Sequence, residues 1–433
     1  VRVQRAIFGE FKHGHSARES SPGISADINV LAALTDLPRN APSGLKWDPF
    51  FRGFAHGDWY VITKTFPDPS ASRPGMVKTF ALILQLNEAV KVKDLNPLLA
   101  LLPQAADEEW SIAAGEFEQP PETTPPAPAG YGAFLHAIFL RPNDVVVWLG
   151  RNGFLNAIAS LWHALWPAAR SRFRFGFHFT PIDAPSQPLS FALVPQEQAY
   201  RWVEFAPVDE SYPDPDTPSA PEAFLRGLPG GDALRDLLSR LRTEISSIED
   251  LIVASKCTDL LPRTESASPG ELRMLLRYLV RLAPHRDTGA ELKENVLLLL
   301  LERTPNGNAH DAVAVRSLYN LTIPDISTRA DRVTAQWLEK NLPDVSKHEE
   351  TREVITESLR TIGEPWSEGV LAGLQSAWQL WRPEFGIVLW NWWTSDDSLV
   401  VRLEPYLPRE AKVDRSLAQA CPRLVAENLA AKT

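Results

Sequence analysis

Cysteine is nearly missing from this sequence, with two residues, Cys257 and Cys421, in 433. That excludes a disulfide scaffold, and both thiols fall in helical text where a small buried side chain is expected. A reducing compartment fits such usage, so the expected location is cytoplasmic. Basic charge is also in deficit: acidic residues outnumber Lys and Arg 54 to 44, for a formal charge of −10. No basic run stands out, so direct nucleic-acid binding is not expected. Long apolar runs are lacking too. The stretch Asn295–Leu301, bounded by Glu294 and Glu302, is far below the roughly 20 residues of a bilayer crossing and predicts a buried helix segment rather than a membrane span. The start at Val1 shows no basic region leading into an apolar one, so export is not expected.

The common catalytic loops are missing as well. The chain contains no G-x-x-x-x-G-K-S/T, no G-x-G-x-x-G and no G-x-S-x-G, so intrinsic nucleotide hydrolysis, dinucleotide chemistry and a serine-hydrolase elbow are not expected. Gly230-Gly231 before Asp232 reads as the start of a helix. No cofactor is expected.

What is present is an ordinary globular composition, 44% hydrophobic and 23% charged, in a chain long enough for more than one core. Proline, 37 residues in all, marks the joints, because it removes an amide donor and fixes φ. Gln119–Pro128 reads as an exposed loop. Pro207–Pro221 separates text of different periodicity, which predicts three parts: 1–206, a Pro-rich linker at 207–221, and 222–433. The first part is expected to be an α+β domain, mainly an antiparallel sheet with a few helices. The last is expected to be an all-α helical array, of antiparallel helix pairs or an irregular α-solenoid.

In the first part, Val1–Phe8 reads as a strand, with a turn over Gly9 to Gly14. Trp59–Phe66 and Val77–Leu86 are rich in β-branched and aromatic residues and predict an antiparallel hairpin with a long loop. Val92–Leu102 and Gly153–Trp166 carry helical spacing. Ala133–Leu140, Val145–Leu149, Leu189–Leu193 and Arg201–Phe205 read as short strands. Arg172–Phe179 alternates strictly, with four Phe on one face and Arg172, Arg174 and His178 on the other. Beyond the linker, helices are expected at 233–254, 270–282, 288–302, 311–318, 329–341, 349–361, 366–381, 385–393, 398–406 and 414–430.

Three groups of residues carry candidate chemistry. His13 and His15 flank Gly14, and with His56 and Asp58 they give an alternative reading as a metal-dependent hydrolase with Asp58 or Glu10 as base. The face formed by Arg170, Arg172 and Arg174 suits an anionic partner, or is the solvated side of an edge strand. In the last helices Trp378, Trp381 and Phe385 fall at core spacing, whereas Trp390, Trp392 and Trp393 cannot all face one way, so one is expected at an interface.

The opening Gln4–Ser20, with the Arg73-Pro74-Gly75 turn and the Leu161–Arg170 segment leading into the Phe-rich strand, resembles the N-terminal domain of bacterial GTPase-associated proteins over about 1–205. Gln4, Gly9, Gly14 and His15 match positions of that family's motif. The resemblance implies a non-catalytic module of a bacterial conflict or antiviral defence system, encoded with a separate GTPase and followed by a helical region. The leading expectation is therefore an adaptor or sensor subunit that partners a separately encoded GTPase or effector protein. Metal-dependent hydrolysis and capture of a peptide by strand addition are the alternatives.

Overall fold

Period-two runs of β-branched and aromatic residues build most of the first half, where one sheet gathers every strand among the described residues. The computed structural model describes residues 1–11, 14–42, 44–73, 75–121, 123–184, 187–285, 287–316, 326–381, 388, 392, 399 and 402–406. The first strands are β1 (Arg2–Phe11) and β2 (Gly14–Ser20), then helix α1 (Ile28–Thr35), then β3 (Phe50–His56), β4 (Trp59–Pro67) and β5 (Val77–Gln85). Short helices α2 (Leu86–Ala89) and α3 (Asn96–Leu99) follow, with β6 (Gly115–Glu116), α4 (Tyr131–Leu140) and β7 (Val145–Leu149). Helices α5 (Phe154–Ala164) and α6 (Pro167–Arg170) then lead to β8 (Arg174–Phe177) and β9 (Ser190–Val194), and α7 (Ala220–Leu225) comes later.

The strand order is β2-β1-β5-β4-β3-β8-β9-β7, with β6 also paired to β1. Pairing is antiparallel from β2 across to β8 and parallel through β8, β9 and β7. The expected hairpin is present as β4 and β5, in register from Trp59 opposite Gln85 to Pro67 opposite Val77. β7 and β8 both run parallel to β9, which lies between them, and α5 and α6 supply the crossover from β7 to β8.

Each sheet face has a distinct cover. α1 lays Leu31 and Ala32 on Ala6, Phe8, Phe54, Val61, Ala81 and Ile83. The other face receives α5: Trp162 packs against Tyr60 and Phe173, with ring centroids 5.1 and 5.4 Å away, and Phe154 reaches Phe175 at 6.5 Å. A fully buried ring of this size stabilises the fold by about 1.5–3 kcal/mol. The buried Trp162 indole N–H donates to the carbonyl of Val92 at 2.7 Å, so no polar atom is lost with it.

Several local expectations are corrected. Ala133–Leu140 is helix α4, not a strand: an apolar run that short fits either element, and the tertiary contacts of its buried face decide. Arg201–Phe205 forms 3-10 turns rather than a strand. The helix expected over Val92–Leu102 is confined to Asn96–Leu99. Strand β8 covers only 174–177 of the expected 172–179, and it lies inside the sheet between β3 and β9, not at an edge. Among the elements not anticipated are α1, β2 and β3. β2 is a polar strand, and β3 has a Gly at its centre, so neither carries a strong apolar alternation.

The chain divides into two compact units, Val1–Leu238 with Glu244–Ser255, and Ser239–Thr243 with Lys256–Thr433. The Pro-rich 207–221 stretch belongs to the first. Val208 is bonded on both sides of its peptide, its N–H to Val147 and its carbonyl to Leu149, and the Asp214 carboxylate accepts the Gly132 and Ala133 amides at the start of α4. Proline-rich text thus lies fixed along the sheet through side-chain and backbone caps.

The text expected as one helix over 233–254 is two, α8 (Asp232–Leu241) and α9 (Ile248–Leu260). Helices α10 (Pro269–Leu282), α11 (Ala290–Arg303), α12 (Ala309–Ala314), α13 (Ile326–Asn341), α14 (His348–Arg360) and α15 (Pro365–Leu380) follow. The Asn295–Leu301 run lies in α11, with Val296, Leu297, Leu300 and Leu301 buried and Leu298 44% exposed. Among the described residues no helix is long and apolar enough to cross a membrane. Cys257 is buried, and desolvation pushes its thiol up to about 12.

Tryptophan serves the core of this second unit. Trp337 and Trp366 are buried and donate to the carbonyls of Gly307 and Ala312 at 2.9 and 3.0 Å. Trp378 is buried as expected, but Trp381, expected in the core, is 40% exposed. Trp392, offered as an interface residue, is buried and donates to the His348 carbonyl at 3.3 Å. Trp390, Trp393, Phe385, Cys421 and the helix expected over 414–430 lie outside the described residues.

Candidate functional site

The alternation of the Phe-rich strand explains the site. Its odd-numbered rings, Phe173 and Phe175, pack toward α5, so Arg174, Gly176 and His178 fall on the opposite side. There they line a cleft of about 530 Å³ together with Arg52 and Phe54 of β3 and the segment Ala33–Arg39 that ends α1, Thr35 excepted. Asp183 completes the rim. Gly176 keeps the floor open: a Cβ there would stand 3.2 Å from Cγ of Arg52.

Helix α1 is set at both ends. Asp27 caps its start by accepting the Asn29 and Val30 amides. At its end, Nη1 of Arg52 donates to the carbonyls of Leu34 and Asp36 at 3.0 and 2.6 Å, a cation answering the free carbonyls and negative dipole of a helix C-terminus. Thr35, fully buried, donates to the Ala32 carbonyl and receives His15 Nε2 at 3.4 Å. His15 Nδ1 is 3.8 Å from Asp36 Oδ1. The His15 side chain is 4% exposed, so it braces the back of the cleft and reaches the surface only through Asp36.

Electrostatically the cleft sets three guanidinium groups, Arg39, Arg52 and Arg174, against two carboxylates, Asp36 and Asp183. Asp183 accepts from Thr180 Oγ1 at 3.0 Å and Asn40 Nδ2 at 3.2 Å, and Asp36 accepts the Leu37 amide at 2.7 Å. Burial holds Arg52 down to about 10 and lowers Arg174 as well. Burial first, and then the neighbouring Arg52 and Arg174, push His178 down to about 3. Its imidazole is therefore neutral near pH 7.

That shift has a measurable consequence. The folded His178 stays neutral down to about pH 3 while the unfolded imidazole takes a proton below 6.5, so the unfolded chain binds more protons in between. Stability is expected to fall as pH drops through this window, by up to about 1.4 kcal/mol per pH unit. Denaturant titrations of H178Q should show a shallower acid slope than the parent; identical slopes would assign the proton uptake to other groups, such as His15, which burial also lowers.

The remaining sequence candidates scatter. Gln4 is buried in β1 opposite Ile83, with Oε1 lacking a hydrogen-bond partner. Gly9 pairs with Ser16 and Gly14 with Phe11 in the β1–β2 ladder. Arg172 is exposed on the approach to β8. Arg170 is buried and bonded to the carbonyls of Trp162, Val90 and His163, so its charge is not offered to a partner. Glu10 accepts from Ser72, which holds its carboxyl below the usual range. His56 pairs with Trp59 across the β3–β4 turn, and Asp58 there accepts the Leu86 amide through its carbonyl. His13 lies outside the described residues, among which no group of three His, Cys, Asp or Glu side chains is placed to hold a metal.

Arg52, Asp36 and Arg39 escaped the sequence reading, since α1 and β3 went unrecognised; the aromatic residues of F-F-R-G-F-A-H are the weak signal β3 left for Arg52. The lining carries no hydroxyl or thiol side chain. It is built to bind, with fixed cations over a hydrocarbon floor.

Residues 2–102 match the family model described as GTPase-associated protein 1, N-terminal domain type 1. This bears out the resemblance carried by Gln4–Ser20, over a shorter span than 1–205. The match takes in β1 to β5 and the α1 wall of the cleft, while Arg174, His178 and Asp183 lie beyond it. No curated protein matches the chain.

Proposed function

We propose that this chain, whose residues 2–102 match a GTPase-associated N-terminal domain, is a non-catalytic adaptor or sensor subunit of a bacterial conflict or antiviral defence system. It works beside a separately encoded GTPase or effector protein. The match carries this reading, and the sequence supports it, because these residues contain no phosphate-binding loop of the G-x-x-x-x-G-K-S/T type. The nucleotide chemistry then falls outside them. A sheet-and-cleft unit and a helical unit both offer surface for docking.

A second reading concerns how the partner is held. β2 stands at one end of the strand order and pairs only with β1 among the described residues, so its outer edge can receive an extended segment through main-chain hydrogen bonds. One experiment serves both. The chain and the GTPase encoded beside it, purified separately and mixed at micromolar concentration, are expected to co-elute on size-exclusion chromatography, with the chain alone hydrolysing no GTP. Separate elution with GTP, with GDP and without nucleotide would overturn the adaptor reading. A17P, in β2, abolishes co-elution if the edge is used and leaves it intact if it is not.

A further inference from the structure

The cleft beside α1 has features that bracing the fold does not require. Arg39 is exposed at its rim and Arg174 is half-buried in its wall, and neither guanidinium has a hydrogen-bond or ion-pair partner among the described residues. The His178 ring, also in the lining, makes no hydrogen bond there, and its Nδ1 is buried. Both carboxylates of the lining, by contrast, are already engaged by donors of the protein. Unspent donors thus face a concave space while the acceptors are occupied. The opposite wall and floor are hydrocarbon, from Leu34, Leu37 and Pro38 across to Phe54. The cleft near Gly150 differs: its one cation, Arg151, is 2.9 Å from Asp48, and Asp209 and Glu210 share its lining.

The geometry points to a binding site for a small phosphate monoester, of about the size of a nucleoside monophosphate, with its phosphate between Arg39 and Arg174 and its organic body on the Leu34–Phe54 side. Three considerations select this chemistry. A volume of about 530 Å³ lies within the range of small-ligand sites, about 300–1,000 Å³. Guanidinium forks match phosphate oxygens in pairs. Coulomb attraction scales with ligand charge, so against three guanidinium groups and two carboxylates a phosphate dianion gains about twice the net attraction of a single carboxylate. Nη1 of Arg52 is committed to α1, so ligand charge beside that guanidinium is also felt at the end of the helix. A ligand here would bias the α1 side of the domain that carries the GTPase-associated match. The binding claim itself does not depend on the adaptor reading.

The test uses the purified full chain alone, so its failure is distinct from failure to find a partner. Calorimetric titration with GMP, AMP, ribose 5-phosphate and glycerol 3-phosphate is expected to show saturable binding of at least one, near one equivalent, with guanosine and adenosine about tenfold weaker or silent. R39M, at an exposed side chain, and R174M are each expected to weaken that binding by about tenfold, with thermal unfolding confirming that both variants fold. No saturation by any of the four up to about 5 mM, equal binding of the nucleosides, or unchanged affinity in both variants would each overturn the assignment.

Discussion

G53A is expected to destabilise the first unit by about 3 kcal/mol. Gly53 lies at the centre of β3, and its only partner on β8 is Phe175. The ring of Phe175 lies directly over it: a Cβ would fall 2.1 Å from Cε1, 2.7 Å from Cζ and 2.8 Å from Cδ1. Phe175 is buried against Phe154 and Phe173, so the ring has no free volume to swing into, and the added methyl must be absorbed by strand separation. That separation falls where the antiparallel part of the sheet meets the parallel part, with Arg52 and Arg174 on the two flanking strands. F175A alone leaves a cavity costing about 3–5 kcal/mol, but in its presence G53A should cost little, giving a coupling energy of at least about 2 kcal/mol in a double-mutant cycle. Chevron or equilibrium unfolding in denaturant measures it; additive effects would mean that ring and glycine do not confront one another.

R170M is expected to cost about 3 kcal/mol through the loss of three charge-assisted hydrogen bonds. The guanidinium of Arg170 is buried, donating from Nε to Trp162 at 2.9 Å, from Nη1 to Val90 at 2.9 Å and from Nη2 to His163 at 3.1 Å, with its carbon 5.7 Å from the Trp162 ring. Trp162 and His163 stand in the last turn of α5, so the cation satisfies helix-terminal carbonyls. Methionine fills a similar volume but takes the guanidinium donors away from these carbonyls, Trp162 keeping the Leu165 amide at 3.3 Å, and removal of a buried ionic donor is expensive. R170K keeps the charge and loses the fork, so an intermediate loss is expected. The outcome also separates two roles for Arg170. A large drop in unfolding midpoint is the structural result; a variant as stable as the parent that fails to co-elute with a GTPase would return Arg170 to the binding surface.

The family resemblance was readable because it rests on a short linear motif, Gln4–Ser20, and residues 2–102 match the domain it suggested. The β4–β5 hairpin was readable because strong period-two text sits on both sides of one turn. The cleft was half-readable. Arg174 and His178 stood out by alternation with phenylalanine, yet the same pattern suited an edge strand exposed to water. Arg52 gave no comparable sign, and Asp36 and Arg39 sit just past a helix the pattern did not reveal.

By itself the sequence determined which side of the Phe-rich strand is apolar, where the β4–β5 hairpin lies, that the second half is helical, and that the chain lacks a phosphate-binding loop. Only the tertiary structure decided which strands are neighbours, and with that whether the cations of β8 face solvent or a cleft. Side-chain alternation is a property of one strand, fixed by its own backbone geometry. Strand order is fixed by pairings between distant segments, here by Phe175 resting on a residue with no side chain, and local text carries no record of such a partner.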